Sequence, residues 1–564
     1  MRLRIFFLVA IACLAVGWAA YPSSSPPTMP LSRYVPAGGL LYLEAKDFSS
    51  LLANWNASAE KSNWVQTPNY EVFSRSRLVL RLKAAGQQFS SAAGLPADMN
   101  LLTQVGGSRS VLALYDIGNL QFLYITYLPA RSVETTLWQT REKFEPRGAA
   151  GMHFYLRRNP ESQREVAFAV QGDYLLVATR EDLIAGALQL LSGKEGHSVE
   201  SEPWWSQAVA AAGPSGDLRM VLNLEKLVST PYFRTYWVQQ NITEMKQYST
   251  AIADLFRSPD QDREERVLIP KDAAPAPNPS AMQATADLAT LVPEEAGIYS
   301  AKASPSSDSC FSLLKTKLLD AQHSPAPESK LAPQVQLTGG EAGVSTDLET
   351  RIDQAPTNQQ RDKAKSTLEQ LLNETEVLAS LAVESTAADS DGIFVRPHSA
   401  VVLVGASDWN ESRALAAISD FLASSVSASH MGLGWQARSG YRELDGLWPL
   451  AIAVKGPYLV LANDSALLAT ILSKFNRRLG NKPVTWVAHF DHRHEGPNLS
   501  RMAAIVDRNR PSQVGFGESD RPPQFFSENL GSLSQAFGRI AWENVVVRTE
   551  GNKVFETVTY QWSE

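Results

Sequence analysis

Cysteine is nearly absent: the 564 residues include two, Cys13 and Cys310, and the first falls in an N-terminal apolar segment. No disulfide framework can hold such a chain, so apolar cores must carry its stability unaided. Long runs of one charge sign are missing too. With a formal net charge of -7 and no extended basic stretch, the chain lacks the positive footprint that displaces counterions from phosphate, which argues against nucleic acid as a partner. The sequence also has no GxxxxGK[ST] loop, no GxSxG elbow and no HExxH helix. No cofactor, metal or catalytic residue is therefore assigned. What remains is ordinary globular composition, 44% hydrophobic and 20% charged, on a chain long enough for two or more domains.

The N-terminus has the order of an export signal: Arg2 and Arg4, then IFFLVAIACLAV, then small residues and the Pro/Ser stretch YPSSSPPTMP. As a helix, Ile5 to Ala20 would cover about 24 Å, short of the ~30 Å hydrocarbon core. Residues 1–20 are accordingly read as a cleaved signal peptide, with a single uncleaved N-terminal membrane anchor as the alternative, and 21–30 as a linker. The expected location is the periplasm or the outer face of the cytoplasmic membrane.

Internal repetition organises the rest. Residues 169–188, AVQGDYLLVATREDLIAGAL, are matched without a gap by residues 453–472, AVKGPYLVLANDSALLATIL. In each, an apolar run before a glycine (Gly172, Gly456) pairs with the run after it as a hairpin. YLLVA and YLVLA are continuous apolar runs, hence strands covered on both faces. A helix follows, with Thr179 and Asn463 as expected caps and a buried face of Leu183, Ile184, Ala187 and Leu188 matching Leu467, Leu468, Ile471 and Leu472.

The repeat extends outward. Val35, Pro36, Leu41 and Tyr42 are echoed by Val292, Pro293, Ile298 and Tyr299; SVLALYD near Ser110 is set against SAVVLVG near Ser399; and Val221, Asn223, Leu224 and Glu225 against Val487, His489, Phe490 and Asp491. Asp47 is expected to cap a helix, Asp408 and Glu411 to form a capping box, and MKQYSTAIADLF and ENLGSLSQAFGRI to be helices. The reading is an α+β fold of two related lobes, each a mainly antiparallel sheet with packed helices. The first spans 31–272 and the second 291–564, joined by a Pro/Ala-rich linker at 273–290. A low-complexity insertion at 321–391 is expected to be largely unstructured, apart from an amphipathic helix in TLEQLLNETEVLASLAV.

The opening VPAGGLLYLEAKDF, the unit GDYLLVATREDL and the strand MVLNLEKL resemble a family of exported bacterial proteins known only as a domain of unknown function. The resemblance implies export and a repeated α+β architecture, and it brings no activity or functional residue.

One stretch has metal-ligand character: His489, Asp491, His492, His494 and Glu495. Read as a strand, it would put His492 and His494 on one face, and His489 with Asp491 on the other. Ser58-Ala59-Glu60-Lys61 and Ser312-Leu313-Leu314-Lys315 match a serine–lysine nucleophile tetrad without its companion motifs; the plain reading of each is a helix turn. Trp204, Trp205, Trp55 and Trp64 are candidates for an aromatic contact surface. These features lead to a non-enzymatic exported envelope protein that binds or scaffolds an unidentified envelope protein or macromolecule. The alternative is a metal-dependent hydrolase using His489–Glu495.

Overall fold

Two glycines with nearly the same backbone angle begin each half's best-matched unit. Gly172 (φ 57°) and Gly456 (φ 58°) open two-residue turns between Gln171 and Tyr174 and between Lys455 and Tyr458. Left-handed geometry at the first turn position alone is the type II′ hairpin, which suits strand twist and leaves the second position free for Asp173 or Pro457. In the computed structural model, which describes residues 30–129, 131–231, 245–272, 278–319, 358–388, 395–426, 434–444, 449–475, 482–508 and 539–563, the chain folds as two units. One takes in Met1–Pro275, Val506–Ala541 and Glu550–Glu564, the other Ala276–Ile505 and Trp542–Thr549.

In unit 1 the strands are β1 (Leu41–Ala45), β2 (Arg109–Asp116), β3 (Gln121–Tyr127), β4 (Glu145–Ala149), β5 (Met152–Arg158), β6 (Glu165–Gln171), β7 (Tyr174–Ala178), β8 (Leu218–Asn223), β9 (Tyr248–Arg257) and β10 (Gln261–Pro270). Every ladder is antiparallel, in the order β4-β5-β6-β7-β3-β2-β1-β8-β9-β10. Unit 2 holds β11 (Ile298–Ala303), β12 (Val377–Ala388), β13 (Val395–Gly405), β14 (Trp435–Ala437), β15 (Arg442–Leu444), β16 (Leu450–Lys455), β17 (Tyr458–Ala462), β18 (Trp486–Asp491) and most of β19 (Ile540–Glu550). Its order is β14-β15-β16-β17-β13-β12-β11-β18-β19, again antiparallel throughout. Position for position this is the order of β4 to β9 in unit 1. The last strand, β20 (Lys553–Trp562), pairs with β10. The fold is α+β.

Both faces of the matched strands are covered. Leu176 and Ala178 point into one core of unit 1 and Leu175 and Val177 into another. Leu459 and Leu461 divide from Val460 and Ala462 in the same way. The helices Glu181–Leu191 and Ser465–Ser473 bury Leu183, Ile184, Ala187 and Leu188, and Leu467, Leu468 and Ile471. Cys310 is a buried thiol that burial pushes up to about 12, so it forms no reactive thiolate near neutrality.

The structure corrects several expectations. Thr179 and Asn463 are not caps: the helix after Thr179 starts behind Arg180, and the helix after Asn463 is capped by Asp464. Their side chains instead accept the backbone N–H of Phe122 (2.8 Å) and Ser399 (2.7 Å), each adding one rung to the ladder with the neighbouring strand. Asn410, not Asp408, caps the helix Glu411–Val426, accepting from the Arg413 N–H.

MKQYSTAIADLF is mostly β9. Both of its faces are covered, Ile252 lying in one core and Ala251, Ala253 and Leu255 in another, so its apolar residues do not alternate with polar ones, and periodicity alone cannot separate such a run from a buried helix. The same confusion hid β12. The helix Asn358–Thr375 stops short, and VLASLAV, read as its continuation, is a strand between β11 and β13. Much of the latter part of the insertion is thus built into the sheet. By strand order SVLALYD in β2 corresponds to β12, not to SAVVLVG, which lies in β13 beside β17 as β3 lies beside β7. Pro279–Ala289, read as linker, is a helix capped by Asn278 with Ala281 and Leu288 buried. The export segment and nearly all of ENLGSLSQAFGRI lie outside the described residues. Among the described residues no helix is long and apolar enough to cross a membrane.

Candidate functional site

β18 brings the His489–Glu495 stretch into position, and the local geometry is set where that strand ends. Tyr42 pairs with Val221 in β1–β8, and Tyr299 with His489 in β11–β18. The Asn223 N–H donates to the Leu40 carbonyl (3.0 Å), and the Asp491 N–H to the Gly297 carbonyl (2.7 Å). The true register therefore matches Val221 with His489, Asn223 with Asp491 and Lys226 with His494, two residues from the alignment read off the sequence. A two-residue slip keeps every side chain on its face, which is why strand periodicity did not expose it.

The strand stops at Asp491 because that side chain caps the next helix, accepting the His494 N–H at 3.0 Å, as Asn223 accepts the Lys226 N–H at 3.0 Å. His492 to Glu495 form the first turn of the helix His492–Arg508, not a strand. On a helix, residues two apart point roughly 200° from each other. His492 and His494 are therefore not a two-ligand pair.

The stretch separates into distinct environments. The His489 ring stacks on Tyr299 (centroids 5.2 Å, 19° between planes) and lies 5.7 Å from Trp542. Burial holds its pKa below the ordinary value, with Asp491 and Glu543 opposing, so the ring is neutral near neutral pH. His492 lies edge-on to Phe490 at 4.6 Å. His494 Nδ1 is 2.7 Å from Glu495 Oε1, with 43% of its side chain exposed beside a carboxylate that has none exposed.

Glu495 is the unusual member. It accepts the Thr386 N–H (3.1 Å to Oε2) and the Thr386 hydroxyl, while Asn498 donates its amide to the Thr386 carbonyl at 3.0 Å. A buried carboxylate is tolerated only when its oxygens are hydrogen-bonded in this way. Its place in unit 1 is taken by Leu227, also fully buried. Opposite them stand Leu40 and Gly297, and a Cβ on Gly297 would sit 2.1 Å from Glu495 Oε1. Where unit 1 has two leucines of one core, unit 2 thus has a Gly–Glu contact. Sequence reading missed Thr386, Asn498 and Gly297, although the aligned openings already set Leu40 against Gly297.

Chemically, a histidine held at Nδ1 by a carboxylate is the base-and-orienter half of a nucleophilic or metal site. Among the described residues no hydroxyl or thiol bonds its second nitrogen, and no group of three or more His, Cys, Asp or Glu side chains is arranged to hold a metal ion. The first serine–lysine tetrad is taken up by helix capping and a side-chain bond. Ser58 caps the helix Ala59–Gln66 through the Lys61 N–H (3.1 Å), Lys61 Nζ donates to Asn56, and Ser312 and Lys315 are exposed. Trp205 is buried in the unit 1 core, 5.0 Å from the Tyr42 ring, with Trp204 6.0 Å from Tyr42. Trp64 packs on Tyr70 and Phe73.

No protein-family model matches the chain, so the family resemblance rests on its motifs alone. No curated protein matches it either. Among solved structures it aligns with crystal forms I and III of TP0453, at 10% and 11% identity and a TM-score of 0.23 for each; the alignments cover 44% of this chain and 82% and 83% of those chains. Crystal form IV of the same protein aligns at 10% identity and TM-score 0.23, covering 43% of this chain and 81% of that one. A likeness at that score carries no inference about fold or activity.

Proposed function

We propose that this chain is a non-enzymatic envelope protein, exported to the periplasm or held at the outer face of the cytoplasmic membrane, that binds or scaffolds another envelope component through a duplicated α+β unit. The observation that carries this reading is the use made of the most chemically endowed stretch. Asp491 caps a helix, His489 fills an aromatic stack, and Glu495 satisfies Thr386. These are the tasks of a scaffold. The common strand order, matched turn glycines and matched cap residues support duplication as its origin, and the charged, apolar and small-residue order of residues 1–20 supports export.

The test is recovery of a partner from native envelope extracts with the mature chain, alongside N-terminal sequencing of the envelope-extracted protein. A mature start near Ala20 is expected; a start at Met1 would support the anchor. The hydrolase reading retains one observation in its favour, the His494–Glu495 pair. Stoichiometric metal in the purified protein that is lost in His494→Ala, together with loss of a hydrolytic activity, would replace the binding reading with that one.

A further inference from the structure

A cavity of about 290 Å³ opens in unit 2, lined among others by Asn278, Ser304, Pro305, Asn373, Glu376 and Val377. The corresponding junction in unit 1 is packed tightly around Gly107, and the ladders identify it. Ala45 faces Ser110 in β1–β2, and Lys302 faces Ser380 in β11–β12, so Gly106 and Gly107 correspond to Glu376 and Val377. In unit 1 Asp47, two residues past Ala45, already caps the helix Phe48–Ala57. There the Ser49 N–H reaches the Gly107 carbonyl at 3.1 Å. Gly107 fits so tightly that a Cβ on it would lie 2.2 Å from Thr126 Oγ1 and from the Tyr127 carbonyl oxygen. In unit 2 the cap of the helix Ser307–Leu314 is Ser306, four residues past Lys302. The connection is two residues longer, and side-chain-bearing residues replace both glycines. Ser304 (φ 45°) and Glu376 (φ 48°) line the cavity in left-handed conformations, and the Ser304 N–H donates to the Leu378 carbonyl at 2.7 Å.

The lining restricts what can bind. Among the described residues the lining holds one carboxylate, Glu376, and no lysine, arginine or aromatic ring, which disfavours an anion and a flat heterocycle. Asn278 and Asn373 carry amide donors, Ser304 a hydroxyl and Glu376 an acceptor, beside the apolar edges of Pro305 and Val377. A ligand that donates and accepts around its rim and offers C–H surface to an apolar wall is a polyhydroxylated ring. We infer that this cavity is a binding site for a neutral saccharide unit. The inference rests on the binding-protein reading above and specifies its ligand class.

The test is calorimetric titration of the full chain with glucose, with N-acetylglucosamine and, as a charge control, with inorganic phosphate. At least one sugar should bind and phosphate should not. Asn373→Ala and Glu376→Gly should each weaken the sugar about tenfold, the scale of one lost hydrogen bond. Glycine at 376 removes the carboxylate while suiting the left-handed backbone, so that variant should fold at least as well as the parent. No sugar binding by the parent protein, binding unchanged in both variants, or binding of phosphate instead would each overturn the assignment. The envelope pull-down separates the two readings: a partner recovered by a chain that binds no sugar removes the saccharide site and leaves the binding protein.

Discussion

The junction after β8 and the junction after β18 share a frame and differ in one contact. Each strand ends on a capping residue, Asn223 or Asp491, fixed by the same backbone bond to the neighbouring strand. Four residues on, unit 1 buries Leu227 and unit 2 buries Glu495. The lesson is that backbone hydrogen bonding sets the frame, and side-chain volume decides which chemistry it can hold. Leucine at position 40 leaves space only for an apolar partner, whereas Gly297 makes room for a carboxylate that β12 then satisfies through Thr386.

That comparison breaks most severely if the carboxylate is moved without its surroundings. Leu227→Glu should cost unit 1 about 3–5 kcal/mol, because it buries a charge with no partner; chemical denaturation measures the loss, and a neutral result would mean the position is not sealed. Next is Gly297→Leu, expected to cost about 1–3 kcal/mol through overpacking against Glu495. Combined with Glu495→Leu, the loss should be smaller than the sum of the single changes. Additive effects in that double-mutant cycle would show that the two positions do not compensate each other.

The shared frame is tested more gently at its caps. Asn223→Ala and Asp491→Ala should each cost about 1 kcal/mol, and a large difference between them would deny that the two junctions are equivalent. The smallest expected effect is pH dependence at His489, where unit 1 has Val221. Its folded-state pKa is lowered by burial, so the native state prefers the neutral ring. Its contribution to stability is complete above the unfolded value of about 6.5 and is lost as the pH falls through that value towards the folded one. Thermal unfolding from pH 8 to pH 5 should show less acid loss in His489→Phe than in the parent chain.

Several features of this fold were legible in the sequence. The hairpin glycines, the buried helical faces and the cap at Asp47 are local: a positive φ, a repeat of 3.6 residues and a side chain within reach of its own backbone need only near neighbours. The α+β class followed from them. The strands β9 and β12 were not legible, since each lies between two other strands with both faces covered, and the alternation that identifies a strand disappears there. Of the candidate site, Asp491 and the histidines were visible as residue types, but their arrangement was not.

The sequence by itself determined the repeating pattern of turns and apolar faces, because those depend on the conformational preferences of residues a few positions apart. Only the tertiary structure decided the fate of Glu495, Thr386 and the cavity beside Ser304. Glu495 is buried where Thr386, 109 positions away, supplies its hydrogen bonds, and the cavity is lined by two connections distant in the sequence. Both depend on strand pairing between segments far apart in the chain, which residue type and local spacing do not specify.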